Sequence, residues 1–358
     1  MKTETVKVQT QAAEYIELLQ QLIATTSFSR QEDKTADKLV DFLAAKGIAT
    51  ERYLNNIWAK NKHWQADKPV LLLNSHHDTV RPVEGWKRDP FSPDVEEGTL
   101  YGLGSNDAGA SLVSLLATFV HFYEQEDLSH NIIFAASAEE EISGKDGMYG
   151  LLPYLGKIDV GIVGEPTEMQ MAVAEKGLLV IEAVAKGVAG HAARTNNVNA
   201  IYEAMQDIEW LKSHRFPKTS EWLEAVKITV TQIEAGKQHN IVPDACKYVV
   251  DVRTNDCYSN REIFDILQAN TKAELKARSF RLNSSQIPVS HPLVQAGQAM
   301  GMACLGSPTL SDQSVMPFPT LKLGVGDSNR SHTADEYIHL HEIENGIARY
   351  IELLGKFL

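Results

Sequence analysis

This chain predicts an α/β architecture: a mixed, largely parallel sheet flanked by helices, with a second, inserted α+β domain of ferredoxin-like order. Three observations carry that expectation. Continuous apolar strands alternate with helices over the first half. From about residue 175 polar and apolar residues alternate instead, the pattern of strands buried on one face. Near the C-terminus the grammar of the first half returns.

Taken in order, residues 10–24 place apolar positions at helical spacing, and KTADKLVDFLAAKG repeats the pattern until Gly47 stops it. KPVLLLNSH reads as a buried strand, and ASLVSLLATFVHFYEQ (110–125) as a helix opening after a Gly-rich turn. NIIFAASAEEE (131–141) and DVGIVGEPT (159–167) read as two further buried strands. The middle region then runs strand GLLVIEAVAKG, helix NAIYEAMQDIEWLK, strands AVKITVTQIEAG and CKYVVDVRT, and helix REIFDILQANTKAEL. A short strand near 277–283 completes a β-α-β-β-α-β order. The helix PLVQAGQAMG, the strand PTLKLGVG and an amphipathic helix over 341–357 come last. Residues 175–285 are therefore expected to interrupt a larger domain made of 1–174 and 286–358.

Composition narrows the function. Among 358 residues, 34 Lys+Arg stand against 47 Asp+Glu, a net charge of −13 with no basic stripe, which disfavours nucleic acid and anionic membrane surfaces. The opening MKTETVKVQTQAAEYIELLQ lacks the apolar core of a secretory signal, and no apolar run approaches the ~18–20 residues of a membrane span. Cys246, Cys257 and Cys304 are odd in number and form no CxxC, so neither a disulfide framework nor a thiolate zinc site is suggested. A cytoplasmic location is expected.

The informative feature is where acids and histidines fall. His76, His77 and Asp78 follow the apolar VLLL; Asp107 sits in GLGSNDAGA before a helix; Glu139, Glu140 and Glu141 follow IIFAASA. Glu165 follows VGIV, and His332 lies in GDSNRSHTADE after LKLGV. Taken singly each has a plainer explanation: a polar strand end, a solvated charge run, a helix cap. Together they place imidazoles and carboxylates beyond the carboxyl ends of successive strands, where open α/β sheets bind ligands. Such a set suits a divalent metal such as zinc, with one carboxylate able to bridge two ions.

SHHDTV, GLGSNDAGA, SAEEEISG, VGEPT and SHTADEYI resemble, in order and spacing, the M20 family of zinc amidohydrolases and peptidases. The likeness is greatest to the branch holding acetylornithine deacetylase and succinyl-diaminopimelate desuccinylase, and it spans nearly the whole chain. The resemblance implies a metallopeptidase-like catalytic domain, an inserted lid and dimerisation domain, and two zinc ions per subunit that cobalt can replace. It also implies His76 as a ligand oriented by Asp78, Asp107 as the bridging carboxylate, and Glu139 at the family's Asp position. Glu140 would then be the general base, and Glu141, Glu165 and His332 the remaining ligands. In the inserted domain KGVAGHAAR would supply His191 to the reacting carbonyl, in dimers from the other subunit. AGKQHNIVPDACKYVVDVR would supply Asn240 and Arg253 to the substrate, with His239 a weaker candidate. One departure stands out: Gly109 occupies the place where the family commonly has Lys.

The implied reaction is hydrolysis of the amide of an Nα-acyl amino acid. N-acetylornithine in arginine biosynthesis is the first choice, and VEGWKRDPF after the first metal loop supports a deacylase. Acetylcitrulline, succinylornithine and succinyl-diaminopimelate are alternatives, and Asp312 and Arg330 are further candidates for the pocket wall. A di- or aminopeptidase is the nearest competing enzyme, and a metal-stabilised binding protein the competing non-enzyme. Glu140 argues against the latter, since a structural site has no use for a spare carboxylate.

Overall fold

The structure, a computed structural model, describes residues 2–358, with side chains described from residue 12 onward. In chain order the first helices and strands are α1 (Lys2–Ile23), α2 (Asp33–Ala45), β1 (Glu51–Tyr53), β2 (Asn56–Lys60), β3 (Val70–His76), β4 (Val95–Glu96) and β5 (Thr99–Tyr101). Then come α3 (Ala110–Phe122), β6 (Asn131–Ser137), α4 (Met148–Leu155), β7 (Val160–Val163), β8 (Met171–Glu175), β9 (Gly177–Lys186) and β10 (Gly190–His191). The series continues with α5 (Ala200–Ser213), β11 (Lys227–Ala235), β12 (Ile241–Val242), β13 (Ala245–Thr254), α6 (Asn260–Asn270) and β14 (Glu274–Ala277). It closes with β15 (Ser285–Gln286), α7 (Pro292–Ala299), β16 (Cys304–Ser307), β17 (Thr320–Lys322), β18 (Tyr337–His339) and α8 (Leu340–Phe357).

The chain divides into two compact units. One comprises Met1–Val173, Gln286–Leu305 and Ser311–Leu358; the other comprises Ala174–Ser285 with Gly306–Leu310.

In the first unit the sheet runs β1-β2-β6-β3-β7-β17-β8. Its centre is parallel: β3 pairs with β6 and with β7, and β17 pairs with β7. The flanking ladders β2·β6, β1·β2 and β17·β8 are antiparallel. Every residue of β3, β6 and β7 is buried, which is why these strands read as unbroken apolar runs. Helix α3 is buried nearly all round, because it packs against β3 and β6 as well as α1 and α8. Each Leu it encloses removes apolar surface worth roughly 1.5–3 kcal/mol from water. Strand register sets where the candidate donors emerge. His76 lies opposite Ser137 and Asn74 opposite Val163, so β3 and β6 finish level and β7 two residues earlier, all on the same sheet edge.

The second unit has an antiparallel sheet in the order β11-β13-β9-β14. Leu179, Ile181, Ala183 and Ala185 of β9 and Cys246, Tyr248, Val250 and Val252 of β13 bury alternate positions. They pack against Ala200, Ala204 and Leu211 of α5 and Ile263, Phe264 and Leu267 of α6. A two-residue ladder, β10·β12, pairs His191 with Ile241.

Several boundaries differ from the sequence reading, two of them for a visible reason. The strand expected over 131–141 stops at Ser137, because Glu139 turns into a left-handed conformation (φ 55°) and Glu140–Ile142 form one helical turn. The last strand of the second unit is Glu274–Ala277 rather than 277–283. Asp207 accounts for this shift: its carboxylate accepts the N–H groups of Lys272 (3.0 Å) and Ala273 (2.9 Å), fixing extended backbone just after α6.

Candidate metal centre and active site

Five loops at the carboxyl edge of the first unit's sheet bring together His76, Asp78, Asp107, Glu140, Glu141, Glu165 and His332. His76 ends β3, Glu140 and Glu141 follow β6, and Glu165 follows β7. Asp107 lies in the turn before α3, and His332 in the loop after β17.

Asp107 is central. Its Oδ1 lies 3.3 Å from His76 Nε2 and its Oδ2 lies 3.6 Å from His332 Nε2, so the carboxylate presents one oxygen to each imidazole. On the first side, His76 Nε2 is also 3.7 Å from Glu165 and 3.9 Å from Glu140. On the second side, His332 Nε2 is 3.0 Å from Glu141 Oε2. Ligand atoms of His76, Asp107 and Glu141, and of His76, Glu140 and Glu165, each fall within 4.8 Å of one another.

The donor chemistry fits divalent cations. His76 turns Nδ1 to the main-chain oxygen of Asp78 at 2.9 Å, which leaves the Nε2 lone pair facing the carboxylates. Burial opposes its charge, but hydrogen bonds to Asp107 and Asp78 lift its pKa well above the ordinary imidazole value. Burial holds Asp107 back as well, yet His76 brings its carboxyl below the usual range. Glu140 is pushed well above the usual range by burial, with Glu165, Asp312 and Glu141 adding repulsion against the pull of His76. Burial likewise raises Glu141. The hydrogen bond to Glu141 lifts His332 to about 9, against the effect of its own burial. Carboxylates and imidazoles crowded in this way could hold a divalent cation.

The sequence reading gave Asp78 the task of orienting His76, and in the structure the Asp78 carboxylate has further partners as well. His76 Nδ1 is 3.5 Å from the Asp78 carboxylate, farther than from its main-chain oxygen. The carboxylate accepts Glu140 N–H (3.0 Å), Glu141 N–H (3.2 Å) and the Ser29 hydroxyl (2.7 Å). Asp78 therefore ties the Glu140–Glu141 backbone to the end of β3. Glu139 points elsewhere: its N–H donates to Glu32 (3.2 Å) and its carboxylate lies 3.6 Å from Arg30. His77 spends both ring nitrogens away from the site, on Thr35 Oγ1 and the Asn55 main-chain oxygen (2.9 Å each). Burial lowers its pKa to about 4, so it packs as a neutral ring.

His191, Asn240 and Arg253 belong to the second unit. His191 and Asn240 are neighbours, joined by the Ala192 N–H to Asn240 main-chain oxygen bond (3.0 Å) beside the β10·β12 ladder. Arg253 lies near the C-terminal end of β13. Its guanidinium is held in a fork by Asp251, at 2.9 and 3.2 Å. Arg330, a candidate for the pocket wall, is committed to Glu342 (2.7 Å) and lies over the Tyr337 ring. Asp312 accepts the hydroxyl of Ser137 (2.5 Å), which also accepts Asn74 Nδ2 (2.9 Å), so a buried polar chain runs beneath the Glu139–Glu141 turn.

Gly109, the departure from the family pattern, has a local cause. A Cβ there would lie 2.3 Å from the Gly104 main-chain oxygen and 2.6 Å from Leu19 Cδ1. The turn closes on itself through the Gly109 N–H to Gly104 oxygen bond (3.1 Å), so a side chain here would force this turn to shift. Sequence reasoning passed over Ser29, Glu32 and Glu336, whose work is visible only in hydrogen bonds across many residues.

A hydrolase with a carboxylate- and imidazole-lined cation site is what this fold and donor set define. The chain belongs to Peptidase family M20/M25/M40, whose sequence profile matches residues 72–356. Acetylornithine deacetylase of Proteus mirabilis is 27% identical, covering 92% of this chain and 93% of that one. Succinyl-diaminopimelate desuccinylase of Cereibacter sphaeroides is 26% identical over 71% of each chain. In fold, a Bacillus subtilis protein described as a dinuclear metal binding peptidase of the M20 family superposes with a TM-score of 0.73 at 17% identity, covering 97% of this chain and 98% of that one. The acetylornithine deacetylase and the desuccinylase fall in the branch to which the motifs point. Among the described residues no helix is long and apolar enough to cross a membrane.

Proposed function

We propose that the chain is a cytoplasmic zinc-dependent deacylase that hydrolyses the amide of an Nα-acyl amino acid, N-acetylornithine of arginine biosynthesis before the others. The observation that carries the reading is Asp107 facing His76 with one oxygen and His332 with the other, with Glu140 in addition to the ligands on either side. The 27% identity over 92% of the chain to an acetylornithine deacetylase favours an acyl amino acid over a peptide. The desuccinylase relatives keep succinylornithine and succinyl-diaminopimelate in contention, with acetylcitrulline and a peptide as further alternatives.

His76, Asp107 and Glu165 would hold one ion, and Asp107, Glu141 and His332 the other. When bound, the pair of zinc ions, or cobalt in their place, supplies Lewis acidity to a water and to the amide carbonyl. Glu140 accepts the proton of the attacking water and delivers it to the leaving amine. Asp78 holds Glu140 at the depth this transfer needs, through its bonds to the Glu140 and Glu141 backbone. Arg253, stiffened by Asp251, suits a substrate carboxylate. His191 would come from a second copy, as the family resemblance implies, and Asn240, its neighbour, with it. Exposed Tyr202 and Met205 on α5, with Ile233 on the edge strand β11, suit the dimer interface this requires.

The test is amine release by zinc-loaded protein from N-acetylornithine, N-acetylcitrulline, N-succinylornithine, N-succinyl-diaminopimelate and a dipeptide, with Glu140→Gln as control. Turnover of one acyl amino acid, lost in the Gln variant while zinc content holds, is the expected result. Cleavage of the dipeptide alone would move the chain to the peptidases, and no turnover at full metal content would end the enzymatic reading.

A further inference from the structure

We propose that Glu336 is the positioning residue for Asp107, setting the bridging carboxylate and, through it, the affinity of both cation subsites. The inference rests on the metal-pair reading and is independent of which acyl amino acid is hydrolysed.

Glu336 is 2% exposed and finds its partners in the backbone of one turn. Its Oε1 accepts the N–H groups of Asn106 and Asp107, both at 2.9 Å, and its Oε2 accepts that of Gly104 at 3.1 Å. Its own main-chain oxygen accepts Gly102 N–H at 3.0 Å. The placement is dictated by strand pairing. Tyr337 of β18 lies opposite Tyr101 of β5, so the residue before β18 meets the residues after β5.

Glu336 lies four positions after His332 in the chain. One carboxylate thus clamps the turn that carries Asp107 to the root of the loop that carries His332. Asn106 adds a second clasp between the same loops. Its Oδ1 accepts Asp327 N–H at 3.0 Å, and its Nδ2 donates to the Asp327 main-chain oxygen at 3.1 Å.

The clamp demands a carboxylate. Three converging N–H donors need an acceptor with two oxygens, and an amide would turn an NH2 group toward at least one of them. Gly104 enters the turn at φ 77°, which lets its N–H join the set where an L side chain would be strained. Nothing in the geometry brings Glu336 to the reacting atoms. It acts through Asp107.

The experiment measures zinc affinity and stoichiometry by chelator competition for wild type, Glu336→Gln, Asp107→Asn and the double variant. Glu336→Gln is expected to weaken zinc roughly 10–100-fold at both sites, the usual cost of losing a partner that orients a ligand. The double variant is expected to bind zinc no more weakly than Asp107→Asn alone, because Glu336 has no carboxylate left to position. Additive losses, or wild-type affinity in Glu336→Gln, would overturn the proposal. Should that variant fail to fold, amide exchange in the metal-free wild type decides. Gly104, Asn106 and Asp107 are expected to be protected, and free exchange at all three refutes the clamp. A protein that binds zinc as predicted but hydrolyses no acyl amino acid would remove the functional reading while leaving the Glu336 assignment standing.

Discussion

Replacing Asp78 by Asn isolates what its carboxylate does beyond neighbouring a histidine. The shape is preserved, but one of two acceptor oxygens becomes an NH2 donor. In the structure Oδ1 accepts Glu140 N–H, while Oδ2 accepts Glu141 N–H and the Ser29 hydroxyl. Whichever way the amide turns, one backbone N–H meets another donor in a fully buried place. An unsatisfied buried donor costs about 1–3 kcal/mol, and the remaining bonds lose their charge assistance, for a total of about 3 kcal/mol. Spent on the placement of Glu140 and Glu141, that energy corresponds to roughly a hundredfold in rate. The assay is kcat on the best acyl amino acid at verified full zinc content, alongside urea unfolding of the metal-free chain. A kcat within threefold of wild type at full zinc occupancy would refute the reasoning.

The other predictions concern stability and assembly. His77 has a folded pKa of about 4 against an ordinary 6.5, because burial disfavours its charge. Its contribution is therefore complete above pH 6.5 and is lost as the pH falls toward 4, about 3 kcal/mol in all by the standard conversion. Urea titrations across that range should show a shallower pH slope for His77→Gln than for wild type. Gly109→Ala drives a Cβ against the Gly104 oxygen, and should lower the unfolding free energy by about 1–3 kcal/mol in urea titrations. If a partner subunit supplies His191, then His191→Ala and Glu140→Gln are each inactive as pure dimers. Co-refolding them in equal amounts should restore about a quarter of wild-type turnover, the fraction of intact sites that random pairing leaves.

The sequence by itself determined the layer type, the order of the elements and most of the donor set. Those properties are local: VLLL and NIIFAAS are apolar without interruption because both faces of β3 and β6 are covered, and polar donors can follow only where such strands end. The candidate donors His76, Glu140, Glu141 and Glu165 were legible for that reason, while Asp107 and His332 stood out through the motifs around them. Helix and strand limits shifted where a distant group intervened, as Asp207 does after α6. Only the tertiary structure decided what holds the donors. That Asp78 grips the backbone 62 and 63 residues further on, and Glu336 the backbone 229 to 232 residues before it, is a consequence of strand register. An extended strand carries sequence neighbours apart by about 3.3 Å per residue, whereas register joins residues that no short-range pattern connects.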